Sequence, residues 1–540
     1  MGSTPPDHRQ ADQAYGETAA ALIENYVQSD LFSGSVLVAR EGRPLLRKSF
    51  GLANREWNIP NAPETKFRIG SVTKQFTATA ILQLAEAGKL KLDGPISRYY
   101  TSAPTCWQSV TLHHLLTHTS GIPSYTELPD FTTKLSKVDR TPQEIIALTQ
   151  DEPLMFEPGT QFAYDNTGYI LLGYVVEEVS GQTYSQYLAE HVFEPLGMRD
   201  TGYDDSATVL PHRACGYRAG DHWSNAPYIA MSLPFAAGGL YSTIDDLLVW
   251  EQALSGGKVL GPGTLQAMFT DYGHQYGFGW GVRKQLERRL GTHGGGINGF
   301  RSTLDRYPDD KLTVIVLANV EAAPADKIAR ELAELAFGVY TPGSVTAIDP
   351  ALLTGYVGYY QLGSRFVLNV SRHGDRLFVQ ATKQTNIEFF PESDRVFFSK
   401  VVSARLSFEV DPQGYATGVI LHQNGVDRPG ARICEADAKI IEAQPPKEHK
   451  QVAIDPAVFD GYVGRYELLP NFVLNISREG DRLFSQATGQ PKAEIFPEGD
   501  WEFFFKVVNA QITFETDNHG RAVRLVLHQG GLDTSAARLE

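Results

Sequence analysis

Hydrophobic and polar positions follow two different rhythms along this chain. From about residue 16 to 342, strand-like apolar runs stand at both ends, at 34–39 and 45–50 early and at 311–316 late. Between them the spacing turns helical: Phe76, Ala80 and Leu84, with Thr77 and Ile81, recur every three or four residues and predict a buried helix over 72–87. Stretches 168–179, 244–254 and 327–337 read as further helices. Strands at both ends with helices between them predict an α+β domain whose sheet joins its two chain ends.

Beyond about residue 343 a period of two takes over. Leu406, Phe408 and Val410 alternate with Arg405, Ser407 and Glu409 ahead of a turn at Asp411-Pro412-Gln413-Gly414, and Ile512 and Phe514 lead likewise into Asp517-Asn518-His519-Gly520. This likeness is a duplication, because Gly355-Tyr356-Val357-Gly358 returns as Gly461-Tyr462-Val463-Gly464 and Phe366-Val367-Leu368-Asn369 as Phe472-Val473-Leu474-Asn475, at one gapless offset of 106. Short strands with Gly, Asp and Pro punctuation, and no convincing amphipathic helix, predict one small antiparallel β-barrel per copy. Aromatic runs such as Phe389-Phe390, Phe397-Phe398 and Phe503-Phe504-Phe505 read as barrel packing. The expected organisation is a tail at 1–15, the α+β domain at 16–342, barrels at 343–440 and 454–540, and a linker at 441–453 around Pro445-Pro446.

Charge narrows the partners. With 48 Lys and Arg against 63 Asp and Glu, the net charge of −15 over 540 residues repels phosphate backbones and anionic lipid surfaces, so no nucleic acid is expected. Cys106, Cys215 and Cys434 are too scattered for a disulfide framework or a zinc site, and neither metal nor cofactor is expected. No apolar run approaches the roughly 20 residues of a membrane span. Met1-Gly2-Ser3 and Leu539-Glu540 read as cloning additions, compatible with a removed secretory signal and a periplasmic or secreted protein; a cytoplasmic location stays open.

Three segments carry candidate chemistry. In Ser71-Val72-Thr73-Lys74, residues three apart share a helix face, so the Lys74 amine reaches the Ser71 hydroxyl at a helix N-terminus, where backbone N–H groups and the dipole favour an oxyanion. About one Ser-x-x-Lys is expected by chance in such a chain. Ser255-Gly256-Gly257-Lys258 is a second, set in a loop after a helix. Tyr164-Asp165-Asn166 sits on a loop ahead of a helix; an ammonium beside Tyr164 would favour phenolate and make it a proton acceptor, while Asn166 could donate to a substrate carbonyl. In Thr292-His293-Gly294-Gly295-Gly296, three glycines in a strand mark close backbone approach by a ligand, and His293 supplies a neutral or cationic donor. Taken singly, a core tyrosine, a turn asparagine and a glycine bulge are the commoner meanings. Arg301 could bind a substrate carboxylate, though an exposed strand arginine is usually solvated.

The order and spacing of the three segments change those odds. Together with Leu115-Leu116-Thr117-His118-Thr119-Ser120-Gly121, Phe156-Glu157-Pro158-Gly159, Ala237-Gly238-Gly239-Leu240-Tyr241-Ser242 and Tyr276-Gly277-Phe278-Gly279-Trp280, the stretch 30–320 resembles the serine β-lactamase-like hydrolases: class C β-lactamases, DD-peptidases, D-aminopeptidases and esterases. The resemblance implies a β-lactamase/transpeptidase-like catalytic domain with a helical subdomain. It implies Ser71 as acylated nucleophile, Lys74 and Tyr164 in proton transfer, Asn166 orienting the substrate amide, and His293 at the third motif. It further implies an oxyanion hole from the N–H groups of Ser71 and Gly296. Gly294 and Gly295 on the bare strand, with Arg301, are the expected substrate-binding residues. His293 stands where class C β-lactamases carry lysine, a weaker, pH-dependent anchor for a carboxylate, and with two barrels following, the chain looks most like the D-aminopeptidases. The expected activity is acyl-enzyme hydrolysis of small or short-peptide amides of D-amino-acid character. The alternatives are a carboxylesterase, with weak or no β-lactamase activity, and a slowly acylated penicillin-binding or sensor protein.

Overall fold

The computed structural model describes residues 8–539 apart from 221, 340–344, 383, 403, 424–425, 444–448, 470–471, 488–491, 507, 509 and 530. Two compact units divide the chain after Tyr340.

The first unit is built on a six-stranded antiparallel sheet that brings the two ends of the unit together. Gly34–Arg40 pairs with Arg43–Phe50 on one side and with Leu312–Ala318 on the other; Phe300–Tyr307, Arg288–Ile297 and Gly281–Gln285 continue the order. Leu312–Ala318 is buried at every position, as a strand covered on both faces must be, and helices Ile244–Ser255 and Ala325–Ala336 pack on it. The helical part centres on Thr73–Glu86, where Phe76, Ala80, Ile81 and Leu84 are buried along with Thr73, Lys74, Gln75, Thr77 and Thr79. Most of the buried polar groups on this helix find partners: Thr77 Oγ1 donates to Ala236 O at 2.6 Å and Gln75 Oε1 accepts from Trp250 Nε1 at 3.0 Å, while Gln75 Nε2 is buried without one among the described residues.

The tail expected at 1–15 is in part a helix, His8–Gln28. Ala19, Leu22, Ile23 and Tyr26 are buried at helical spacing, and the Tyr26 hydroxyl donates to Glu331 Oε2 at 2.6 Å on the helix Ala325–Ala336. The motif Tyr276-Gly277-Phe278-Gly279-Trp280 is a tight loop ahead of the strand Gly281–Gln285, where Gly279, at φ 74°, brings its backbone against the Lys74 carbonyl.

The second unit holds two closed eight-stranded antiparallel barrels, Gly358–Gly363 to Val426–Ile433 and Gly464–Leu469 to Leu532–Leu539. Each closes by pairing its first and last strands. The duplicated sequence packs the same way twice: Phe408 stacks on Tyr356 at 4.6 Å, and Phe514 on Tyr462 at 4.6 Å, with Phe397 and Phe503 edge-on beside them. One departure is a short helix, Glu435–Glu442, that docks its buried Ala438 on the first barrel where no helix is expected. Of the expected linker, residues 444–448 lie outside the described residues.

Both barrels also carry a hydroxyl–imidazole–carboxylate row, Ser407–His422–Asp427 at 2.8 and 2.6 Å and Thr513–His528–Asp533 at 2.9 and 2.7 Å. Ser407 and Thr513 sit in mid-strand with partner strands on both sides, so their neighbouring N–H groups serve the ladder rather than an oxyanion, and the rows act as cross-strand clamps. No helix among the described residues is long and apolar enough to cross a membrane.

Candidate active site

Ser71 stands in a 3-10 turn, Gly70–Val72, that runs straight into the helix Thr73–Glu86. The turn is pressed against the triglycine strand. Gly70 has φ 49°, and a Cβ there would lie 2.9 Å from Gly296 N; a Cβ on Gly295 would lie 2.0 Å from Ile69 O and 2.3 Å from Ser302 Oγ. The glycines therefore mark close approach as expected, but what approaches is the chain's own backbone at Ile69 and Gly70, fastened by Ser302 Oγ donating to Ile69 O at 2.7 Å. Gly295→Ala is accordingly expected to cost about 1–3 kcal/mol of stability by overpacking. Gly296→Ala costs less, since its Cβ meets only the movable tip of Arg301. Thermal melting of the two variants checks the order.

Lys74 is fully buried, one turn along from the serine. Its Nζ donates to Ser71 Oγ at 3.2 Å, Asn166 Oδ1 at 2.8 Å and Ala237 O at 2.8 Å, and lies 4.8 Å from the centre of the Tyr164 ring. Burial pushes its pKa down to about 7, with Asp165 pulling the other way. Asp165 opposes little of this shift, because burial raises its own carboxyl to about 8 and leaves Oδ1 without a partner among the described residues. The Lys74 amine is therefore available in neutral form near pH 7.

Tyr164 departs from expectation. It is 37 % exposed, yet the protein packed around its hydroxyl outweighs that opening and raises its pKa, against a smaller opposite pull from its hydrogen bond with Ser71. The phenol is protonated at neutral pH: a donor, with the neutral amine as acceptor. Asn166 begins the helix Asn166–Ser180 instead of ending a loop, behind the Asp165 cap that accepts from Gly168 N at 2.9 Å. Its Oδ1 holds Lys74 and its Nδ2 donates to Thr126 Oγ1 at 3.1 Å, so much of its capacity serves the site's own frame rather than a substrate.

His293 differs more. Its ring is spent on the protein, Nδ1–H donating to Gly294 O at 2.7 Å and Nε2 accepting from the Tyr276 hydroxyl at 2.9 Å. Burial, helped by Lys74, takes its pKa down to about 3. It is neutral over the working range, so a pH-dependent cationic anchor is not what this ring provides; it props the strand beside Tyr164, whose ring centre is 6.3 Å away.

Past Thr292 the strand Arg288–Ile297 outruns its neighbour, whose pairing covers only Arg288 to Thr292 and leaves one edge of His293–Ile297 open. A cavity of about 510 Å³ lies along Gly294, Gly295 and Gly296, bounded by Arg301, Asp326 and Lys327. Arg301 makes no ion pair within 4 Å among the described residues; its Nη1 donates to Phe300 O at a long 3.4 Å, and its charge adds to that of Arg218 in holding the Glu321 carboxyl down. Among the described residues no group of three His, Cys, Asp or Glu side chains could hold a metal.

Residues 19–337 match the beta-lactamase family. The chain belongs to that family. The two barrels, residues 343–432 and 448–538, each match a domain of unknown function (DUF3471). Penicillin-binding protein 4* of Bacillus subtilis (strain 168) is 29 % identical over 444 residues, covering 76 % of this chain and 97 % of its own. Among solved structures, an octameric penicillin-binding protein homologue from Pyrococcus abyssi superposes with a TM-score of 0.57 at 28 % identity, covering 77 % of this chain and 99 % of that one. A D-stereospecific amidohydrolase from Streptomyces sp. does so with 0.50 at 28 %, covering 60 % and 98 %. This beta-lactamase-family chain is thus a serine hydrolase related to penicillin-binding proteins and similar to a D-stereospecific amidohydrolase.

Several of its site residues gave no clear signal in sequence. Ala237, inside the motif Ala237-Gly238-Gly239-Leu240-Tyr241-Ser242, contributes only a carbonyl that its side chain does not announce, Thr126 only a brace, and Gly70 a backbone angle hinted at by a glycine directly before the nucleophile.

Proposed function

We propose that the protein hydrolyses amide bonds in small or short-peptide substrates of D-amino-acid character through an acyl-enzyme on Ser71. The observation that carries this reading is the buried Lys74 amine, 3.2 Å from Ser71 Oγ and neutral near pH 7. Ser71 Oγ attacks the substrate carbonyl carbon while its proton passes to Lys74 Nζ, and the N–H groups of Ser71 and Gly296 hold the resulting oxyanion. On collapse the C–N bond breaks, and the leaving nitrogen takes a proton from the Tyr164 phenol, which Lys74 reprotonates. Water then attacks the Ser71 ester by the same route in reverse, releasing the acid and restoring the serine.

The D-amide preference draws on the likeness to the Streptomyces amidohydrolase and the site's need for a proton donor, which amide leaving groups require more than esters do. Initial rates on matched D- and L-aminoacyl anilides, p-nitrophenyl esters and a chromogenic cephalosporin test it. The expected result is turnover of the D-anilide at least tenfold faster than the L form. Turnover confined to esters would make the protein a carboxylesterase, and a lasting adduct without turnover would make it a slowly acylated binder.

Arg301, which follows the triglycine strand and makes no ion pair within 4 Å among the described residues, would take a leaving group that ends in a carboxylate. A charge-assisted pair of this kind contributes roughly 1.5–3 kcal/mol, so Arg301→Ala is expected to raise KM about 10- to 100-fold for substrates with a free carboxylate there. The matching carboxamides should be little affected, and KM measured on both series checks it.

A further inference from the structure

The segment Leu115–Gly121 has so far had no part in the chemistry, yet one of its residues lies under the phenol. His118 is 1 % exposed and holds a left-handed backbone, φ 57°, which a non-glycine residue adopts at a cost. Its carbonyl accepts the N–H of Ala163 at 3.0 Å, and its ring Nδ1 accepts the N–H of Asp165 at 3.0 Å. Both backbone N–H groups flanking Tyr164 are thus tied to one residue. The Tyr164 ring lies on the imidazole between those two bonds, 4.3 Å from its centre and tilted by 38°.

Because Nδ1 accepts, the ring proton sits on Nε2, and this atom is buried with no hydrogen-bond partner among the described residues. Tyr169, Tyr276 and Phe162 pack around the ring. An unsatisfied buried donor opposes folding, so packing alone would favour a different side chain here.

We propose that His118 is a positioning residue for the acyl-transfer step: it fixes the Tyr164 phenol and the Asp165 cap against Ser71 and Lys74 by lending a neutral ring acceptor to the Asp165 N–H. This rests on Ser71 being the nucleophile. Burial among Tyr164, Tyr169, Tyr276 and Phe162 holds the ring neutral, and Lys74 adds to this whenever it carries its proton, with His293, itself neutral over the working range, adding no charge there. A protonated ring would turn Nδ1 into a donor aimed at another donor and release the segment that carries Tyr164.

Two substitutions accept the left-handed backbone and differ in the acceptor: His118→Asn, whose Oδ1 stands near the place of Nδ1, and His118→Gly, which has none. The readout is the second-order rate at which a fluorophosphonate labels Ser71 with loss of fluoride, followed from pH 5 to 10, beside thermal melting. The label is mapped by peptide mass, and labelling elsewhere in the wild type overturns the nucleophile and this proposal with it. With Ser71 labelled, the expected result is His118→Asn within about threefold of wild type and His118→Gly slower by thirtyfold or more at every pH, whatever their melting temperatures. Folded His118→Gly reacting at the wild-type rate, or His118→Asn falling as far as His118→Gly, overturns the positioning role and leaves Ser71 as the nucleophile.

Discussion

Ser71→Ala is expected to lower turnover by about 10³- to 10⁶-fold on whichever substrate the protein cleaves, the range seen when a nucleophile is removed from a site that keeps its other parts. The fold should survive, because the change deletes one oxygen from a half-buried side chain. Lys74 keeps Asn166 Oδ1 and Ala237 O as partners, and the turn at Gly70–Val72 is held by backbone contacts that the hydroxyl does not share. Melting within a few degrees of wild type, together with lost turnover, separates chemistry from stability. An alanine variant that still turns over at the wild-type rate would remove Ser71 from the reaction.

How far the site was legible depends on what kind of information each residue carries. Ser71 and Lys74 announce themselves by a spacing that one helical turn converts into contact, and the helix Thr73–Glu86 is equally plain from its apolar repeat. The barrels are legible for a similar reason: period-two burial and a gapless duplication fix both the strand faces and the turns. Protonation states were not legible, because burial decides them. Tyr164 next to an ammonium reads as a phenolate in sequence, but in the folded chain the enclosure that raises the phenol is the same enclosure that strips the charge from Lys74. His293 likewise reads as a donor until its two ring nitrogens are seen to be occupied by Gly294 O and the Tyr276 hydroxyl.

Elsewhere a local pattern points away from a contact made over long range. Ala19, Leu22, Ile23 and Tyr26 carry a helical stripe that the polar stretch before them obscured, so the start of His8–Gln28 reads as tail. Three glycines in a row suggested a ligand's approach, whereas only the middle one is forced, and by a carbonyl far away in sequence, Ile69 O. Contacts of that range are invisible to periodicity, and His118 belongs to the same group: its partners Ala163 and Asp165 lie on another segment, with only their side of the bond near the catalytic motif.

The second large effect is expected at Lys74, and its pH dependence separates a base from a prop. An amine that must be neutral to accept the Ser71 proton gives a rate that is flat above its pKa and falls tenfold per pH unit below it. With burial lowering that pKa to about 7, the acylation rate should climb from pH 5 to a plateau just above 7, where an unperturbed lysine of about 10.4 would leave it climbing past pH 10. The inflection belongs to Lys74 and Asp165 together, since the two interact and Asp165 is raised to about 8. Ionising Asp165 restores a negative charge near the amine and so opposes its further deprotonation, which broadens the upper end of the rise without moving its direction. Lys74→Met, which keeps most of the buried volume, should cost about 10³- to 10⁴-fold in acylation and abolish the inflection near 7, leaving only the shallow dependence of the reagent itself. A stopped-flow pH profile of Ser71 acylation on both proteins checks this. A wild-type profile still rising steeply at pH 10 would mean that Lys74 stays charged at neutral pH, and the proton would then need another acceptor.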